Sequence, residues 1–189
     1  MSLLCDLAVK YGSDKAPLFH HNYTPFYHFL FKDRRDEVKK VLEIGLGFPE
    51  TMPMILNYKV GASQYMFREY FPNAEIYAFD IRGDILFQDE RIHTYECDQS
   101  QSGEMHNLID KIGADFDLII DDGSHLCNHQ IISAAVLSPF LKSGGLYIIE
   151  DVSQPAVIEE QLRLLGIECD VITFNPWTQD DRLIVIRKK

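Results

Sequence analysis

The residues of this chain that could do chemistry gather behind two apolar runs. In DLIIDDGSH the run ends on Asp121 and Asp122, and Gly123, Ser124 and His125 follow. In LYIIED the run ends on Glu150 and Asp151. Adjacent carboxylates repel at a strand end unless something positive lies beside them. A metal ion, a cationic ligand or a helix start could each supply that charge. Carboxylates converging on one point favour a hard cation, and Mg²⁺ prefers carboxylate oxygen and water. Asp122, Glu150 and Asp151 are then the expected ligands, with Asp121 facing the other side of its strand end. His125 lies three positions after Asp122, and histidine as a residue type suits a general base at neutral pH. The catalytic candidates are therefore His125 and Asp122. The bland alternative is a turn in which Asp122 caps a helix and His125 is solvated.

A second constellation precedes these. VLEIGLGFP is an apolar strand carrying Glu43, then Gly45 and Gly47. Glycine lets the backbone turn tightly and lets a ligand come close. The third glycine of a dinucleotide fingerprint is missing, and Asp80, ending IYAFD, lies 33 positions after Gly47 where that fingerprint expects about 20. The insertion PETMPMILNYKV accounts for the excess, and its length suits a lid or a substrate contact. Glu43, Asp80, Asp98 and Asp121 all fall at carboxyl ends of strands, where ligands bind in open α/β sheets. A cofactor site is expected there; the alternative is a structural turn with Asp80 as a helix cap.

Periodicity supplies the elements that must position these groups. Strands are expected at Val38–Ile44, Glu75–Phe79, Arg91–Cys97, Phe116–Ile120, Gly145–Ile149, Glu168–Phe174 and Leu183–Arg187. Helical patterns separate most of them, such as GASQYMFREYF and SGEMHNLIDKIG, which implies a doubly wound, mostly parallel seven-stranded sheet buried on both faces. The last two strands are joined only by NPWTQDD, too short for a crossover helix, so they should form an antiparallel hairpin. Two short helices lead, LLCDLAVKYG ending on Gly12 and TPFYHFLF with Thr24 as N-cap and Pro25 at the first helical position. The whole of 1–189 is expected to be one domain, with helices and a lid-like loop over 1–37 and a catalytic core over 38–189. A parallel sheet ending in a hairpin resembles the class I methyltransferase architecture, a Rossmann-like fold.

Composition narrows the class. The chain has 189 residues, 46% hydrophobic and 25% charged, with a formal net charge of −11. That balance argues against a nucleic-acid partner, which needs a basic footprint. No apolar run reaches a membrane span. Cys5, Cys97, Cys127 and Cys169 are scattered without a CxxC pair, which fits a reducing cytoplasm.

KYGSDK, HNYTPFY, EIGLG, GASQYMFREYFPNAEIYAFDI, ECDQSQ, DLIIDDGSH and GGLYIIEDV resemble the macrolide and rhamnosyl sugar O-methyltransferases, and the cephalosporin hydroxylase-like group beside them. The resemblance implies S-adenosylmethionine (SAM) as cofactor, an acidic cluster binding Mg²⁺, and the histidine as base. It adds Tyr11, Lys15 and Gln99 to Glu43, Gly45, Gly47, Asp80, Asp98 and Asp121 as cofactor-binding residues. It further implies a sugar-containing small-molecule acceptor, with homo-oligomerisation left open. The N-terminal domain of the larger macrolide enzymes has no counterpart in these motifs, so its role in substrate enclosure or assembly is expected to be missing or to fall to the two leading helices. His20, His21 and Tyr23 are weaker pocket candidates, Asn22 standing where relatives often have glycine, and His129 reads as structural. The competing functions are a SAM-binding scaffold without catalysis and a metal-independent small-molecule methyltransferase. The hydroxylase-like activity would need an oxidant, and no flavin or haem motif is present.

Overall fold

Apolar runs of five or six residues alternating with amphipathic helices can bury both faces of a sheet, and the chain does this. A computed structural model describes residues 2–53, 55–56, 58–175, 177 and 180–189. The first half holds α1 (Leu3–Tyr11), α2 (Tyr23–Phe31), β1 (Lys40–Ile44), α3 (Ala62–Tyr70), β2 (Glu75–Asp80), β3 (Gln88–Asp89) and β4 (Ile92–Glu96). The second holds α4 (Ser102–Ile112), β5 (Phe116–Asp121), α5 (Cys127–Leu137), β6 (Leu141–Ile149), α6 (Pro155–Leu164), β7 (Cys169–Thr173) and β8 (Arg182–Arg187). The strands form one sheet in the order β3-β4-β2-β1-β5-β6-β8-β7.

β4, β2, β1, β5 and β6 run parallel, whereas β8 is antiparallel to both β6 and β7. The expected hairpin is present, with β8 inserted beside β6 and β7 pushed to the edge. The sheet has eight strands rather than seven. The extra one, β3, pairs antiparallel with β4 through two exposed residues, too few to show any alternation. Thr24 is not a helix cap: α2 starts at Tyr23 after Asn22, and the Thr24 hydroxyl lies 3.1 Å from the Cys5 sulfur.

Strand parity divides the interior into two layers. Val41, Leu118, Ile120, Leu146 and Ile148 face α1, α2 and α3, packing with Leu4, Tyr27, Phe31 and Phe67. Leu42, Ile44, Ile119, Tyr147 and Ile149 face α4, α5 and α6, with Met105, Leu137 and Ile158. Side chains alternate across a strand, so this parity also decides which layer each strand-end carboxylate enters. Succession reverses between β1 and β5, which puts a crevice at their carboxyl ends.

Candidate functional site

A cavity of about 500 Å³ opens at that crevice, within the size range of small-molecule sites. The strand ends supply Gly45 and Gly47 after β1, Asp80 on β2, Asp98 and Gln99 after β4, Asp122 and His125 after β5, and Asp151 after β6. All eight were expected in the site, and one cavity gathers them. Phe48 and, from the insertion that follows it, Thr51, Met52 and Tyr58 also line it; insertion residues 54 and 57 lie outside the described residues, as do 176, 178 and 179 of the hairpin loop. Ser13, Asp14, His20 and His21 close it from the N-terminal loop, and Asp180 from the hairpin.

Gly45 has φ +95°, and a Cβ placed there would lie 2.2 Å from the carbonyl oxygen of Asp122. This glycine is required by the approach of the β1 and β5 ends to each other, before any ligand enters. The Asp80 carboxylate accepts the Leu46 and Arg82 amides, each at 3.0 Å, tying the glycine turn to the end of β2. Gln99 accepts the Ser124 amide at 3.0 Å and donates to Asp121 at 2.6 Å, so it clamps the DDGSH turn from behind.

Five of the expected residues do not line the cavity. Glu43 and Glu150 share the parity of Val41 and Ile148, so they enter the α1–α3 layer and meet Lys15. Lys15 is almost wholly buried, and its ammonium pairs with Asp122 Oδ2 at 2.5 Å, with Glu43 Oε1 at 3.3 Å and with Glu150 Oε2. Glu150 takes the Tyr27 hydroxyl at 2.5 Å on its other oxygen. Asp121 has the opposite parity. It is buried under α5, accepting from Ser133 and Gln99, with the Tyr147 hydroxyl at 3.2 Å. Tyr11 lies away from the cavity, bonded to Glu69 and stacked on Tyr65.

Burial governs the electrostatics. It pushes Glu43 up to about 7 against the pull of Lys15, and Glu150 well above the carboxylate range for the same reason. Burial depresses the Lys15 ammonium, but Asp122, Glu150 and Glu43 outweigh it and hold the group well above its ordinary value. Lys15 is therefore a permanent cation inside the fold. Burial and then the Asp122 charge raise Asp151, while His21 and His125 oppose them.

Asp151 is the best-connected residue of the outer cluster. The Tyr23 hydroxyl donates to its Oδ1 at 2.7 Å and accepts from its amide at 3.3 Å. His21 Nε2 lies 3.4 Å from Oδ1, and His125 Nε2 lies 3.8 Å from Oδ2. His125 and Asp151 both adopt left-handed backbone, at φ 56° and 53°, a conformation side-chain-bearing residues adopt at a cost. His129 lines the cavity, with Nδ1 2.9 Å from the Ser124 hydroxyl.

The sequence reading missed Asp180 and Asp181 as part of this wall. Asp181 is buried, accepts Asn22 and lies 3.6 Å from His21 Nδ1. An acidic pair directly ahead of the last strand, the chain's third pair at a strand terminus beside Asp121-Asp122 and Glu150-Asp151, was the available signal.

Asp122, His125 and Asp151 can each bring one donor atom within 4.8 Å of the others. Two carboxylates and adjoining open space fit a hard divalent cation, which takes oxygen ligands and keeps several waters. Glu150, with both oxygens engaged by Lys15 and Tyr27, stands apart from that group. The glycine-lined cavity beside it, walled by Ile44, Leu46, Phe79 and Ile81 with Asp80 and Asp98 at strand ends, fits a nucleoside-bearing cofactor.

No family model matches the chain. Among curated relatives it is 36% identical over 149 residues to 8-demethyl-8-alpha-L-rhamnosyl tetracenomycin-C 2'-O-methyltransferase of Streptomyces olivaceus, covering 79% of this chain and 37% of that protein. It is likewise 36% identical over 153 residues to mycinamicin VI 2''-O-methyltransferase of Micromonospora griseorubida, covering 79% and 36%. The chain thus spans little more than a third of the length of these relatives. Among solved structures, the MycE methyltransferase of the mycinamycin biosynthetic pathway, in complex with Mg, SAH and mycinamycin VI, superimposes with a TM-score of 0.78 at 27% identity, over 99% of this chain and 54% of that one. A putative O-methyltransferase from Klebsiella pneumoniae shares the fold, with a TM-score of 0.60 at 14% identity over 100% and 90%. The chain is a homologue of the sugar O-methyltransferases of macrolide and tetracenomycin pathways and carries the class I methyltransferase fold.

Proposed function

We propose that this chain is the catalytic unit of a SAM-dependent O-methyltransferase, acting on a hydroxyl of a sugar-bearing small molecule with a divalent cation at Asp122 and Asp151 and His125 as base. The observation that carries this is the meeting of two structures at one crevice: a glycine-lined cofactor-sized cavity and the Asp122–His125–Asp151 cluster on its rim. When bound, SAM supplies an electrophilic methyl and the cation acidifies a coordinated hydroxyl.

The chain's own residues do the rest. Asp80 and Asp98 offer oxygens to ligand hydroxyls from the ends of β2 and β4. Asp122 and Asp151 hold the acceptor end of the site. His125, whose side chain is 42% exposed, has a ring free to take a proton on Nε2, and Asp151 beside that atom stabilises the imidazolium it becomes. Tyr23 and His21 fix Asp151 from the buried side. The insertion and the N-terminal loop, both lining the cavity, exclude water from it.

Calorimetric titration with SAM, with and without Mg²⁺, followed by methyl transfer to a rhamnosylated acceptor, tests the reading. Absence of heat and of any thermal shift with SAM or its demethylated product would overturn it. A metal-independent methyltransferase is the second reading, favoured by Lys15, which already neutralises part of the acidic cluster. Undiminished transfer in excess chelator would select it.

A further inference from the structure

We infer that Ser13 and Asp14 form the subsite for the amino-acid tail of SAM, with Asp14 taking its ammonium and Ser13 its carboxylate, in the place that Glu43 leaves unfilled. This rests on the SAM-binding reading above.

Glu43, the acid on the glycine-turn strand, is committed elsewhere. It is fully buried. Its Oε2 accepts the Ser63 hydroxyl at 2.8 Å and the Gln64 amide at 2.6 Å, and its Oε1 faces the Lys15 ammonium at 3.3 Å. A ligand ammonium could reach it only by displacing the chain's own cation.

Ser13 and Asp14 both line the cavity, and both lack partners there. Ser13 is 2% exposed, and its hydroxyl oxygen has no hydrogen-bond partner among the described residues. A hydroxyl buried in that state costs free energy, and it has one donor to offer. The Asp14 carboxylate accepts no hydrogen bond among the described residues, and only burial and charges act on it. Burial and then the Asp122 charge hold it above the ordinary carboxylate range, while Lys15, His21 and His20 oppose them. A cation brought against it relieves that repulsion. The loop is already in place for the ligand. The Ser13 amide donates to the Ala8 carbonyl at 2.9 Å behind the left-handed Gly12, and the His21 amide donates to the Asp14 carbonyl at 3.0 Å.

The connectivity of SAM agrees with this placement. Its sulfur carries the ribose methylene, the methyl and the tail. Asp80 draws the ribose toward the end of β2, and the methyl must face the Asp122–His125–Asp151 end. The tail is left the third direction, over the glycine turn toward the N-terminal loop. There the Tyr58 hydroxyl lies 3.4 Å from the Leu46 carbonyl oxygen, and Asp14 is foremost among the charges acting on that phenol.

The test compares two thioethers that differ in the tail: S-adenosylhomocysteine, which carries it, and methylthioadenosine, which has a methyl group instead. Both are titrated calorimetrically at about pH 8, above the carboxylate range, into proteins checked for fold by circular dichroism. The unaltered protein should bind S-adenosylhomocysteine the more tightly. Asp14→Asn should weaken S-adenosylhomocysteine at least about tenfold and methylthioadenosine less than about threefold, because only the former brings an ammonium to the lost charge. Ser13→Ala should weaken S-adenosylhomocysteine alone, by roughly three- to tenfold, the worth of one hydrogen bond to a charged group. Glu43→Gln should leave the ratio of the two affinities unchanged. The inference is overturned if Asp14→Asn weakens both compounds alike or neither, or if Glu43→Gln lowers the ratio as much as Asp14→Asn does. Should Asp14→Asn fail to fold, Ser13→Ala decides by the same comparison, equal losses or none counting against it. An unaltered protein that binds methylthioadenosine as tightly as S-adenosylhomocysteine overturns the inference and leaves the cofactor reading standing. One that binds neither overturns both.

Discussion

Gly45→Ala isolates the closeness of β1 and β5 from the ordinary cost of left-handed backbone. The added methyl would sit 2.2 Å from the Asp122 carbonyl oxygen and 3.0 Å from its carbon. Relief requires the two strand ends to part by more than an ångström. They are held together there: the Gly45 amide donates to Phe79 at 2.8 Å and the Asp122 amide to Ile44 at 3.1 Å. The positive φ costs about 1–3 kcal/mol, and each hydrogen bond disturbed costs about 1 kcal/mol. The sum is about 3–5 kcal/mol. Gly144→Ala is the control, because φ is +75° but nothing lies within 4 Å of the new Cβ; it should cost only the about 1–3 kcal/mol of the positive φ. At about 2–4 °C per kcal/mol for a chain of this size, scanning calorimetry should show Gly45→Ala losing about 4–8 °C more than Gly144→Ala, the share of the two disturbed hydrogen bonds. If the two variants melt within a degree or two of each other, the strand ends are not locked and the account of Gly45 is wrong.

Three further outcomes follow from the site. His125→Ala should bind SAM and Mn²⁺ normally yet lose roughly 10²–10⁴-fold in turnover; a loss below tenfold under saturating conditions would remove it as base. Glu43 carries a folded pKa of about 7 against an ordinary 4.5, so between those values the native state keeps a proton that the unfolded chain has released. Its contribution to stability is therefore lost as pH rises from 4.5 to 7, amounting to about 3 kcal/mol; Glu43→Gln should flatten that slope in urea unfolding, and an unchanged slope would refute it. Gln99→Ala should cost about 1–3 kcal/mol, because it leaves Asp121 short of a buried donor and frees the Ser124 amide; chemical denaturation within 0.5 kcal/mol of the unaltered protein would show the clamp to be idle.

The sheet was legible because its strands are buried on both faces: the runs FDLII and LYII are of one type, and NPWTQDD is too short for a crossover helix. β3 was not legible, since Gln88 and Asp89 pair at an edge with no side chain buried. The site residues that follow the strands, Gly45, Asp80, Asp98, Asp122, His125 and Asp151, could be placed from sequence because each strand end marks its own successor. Those within or against the sheet could not. Glu43 and Glu150 turn inward by the same alternation that makes their strands readable, but their destination depends on a lysine more than a hundred positions from one of them. Lys15 in GSDK has no periodic neighbours to announce burial, and only the docking of the N-terminal loop over the strand ends reveals it.

The left-handed backbone at His125 and Asp151 bears on how this protein could be engineered. Glycine at either position would relieve up to about 1 kcal/mol. A library screened only for heat resistance should thus enrich glycine at 125 and 151, and the survivors would have discarded the imidazole and the carboxylate to which the proposed function assigns proton transfer and cation binding. Protein engineers should hold those two positions fixed and seek robustness elsewhere, since here the gain in resilience and the loss of activity come from the same two substitutions.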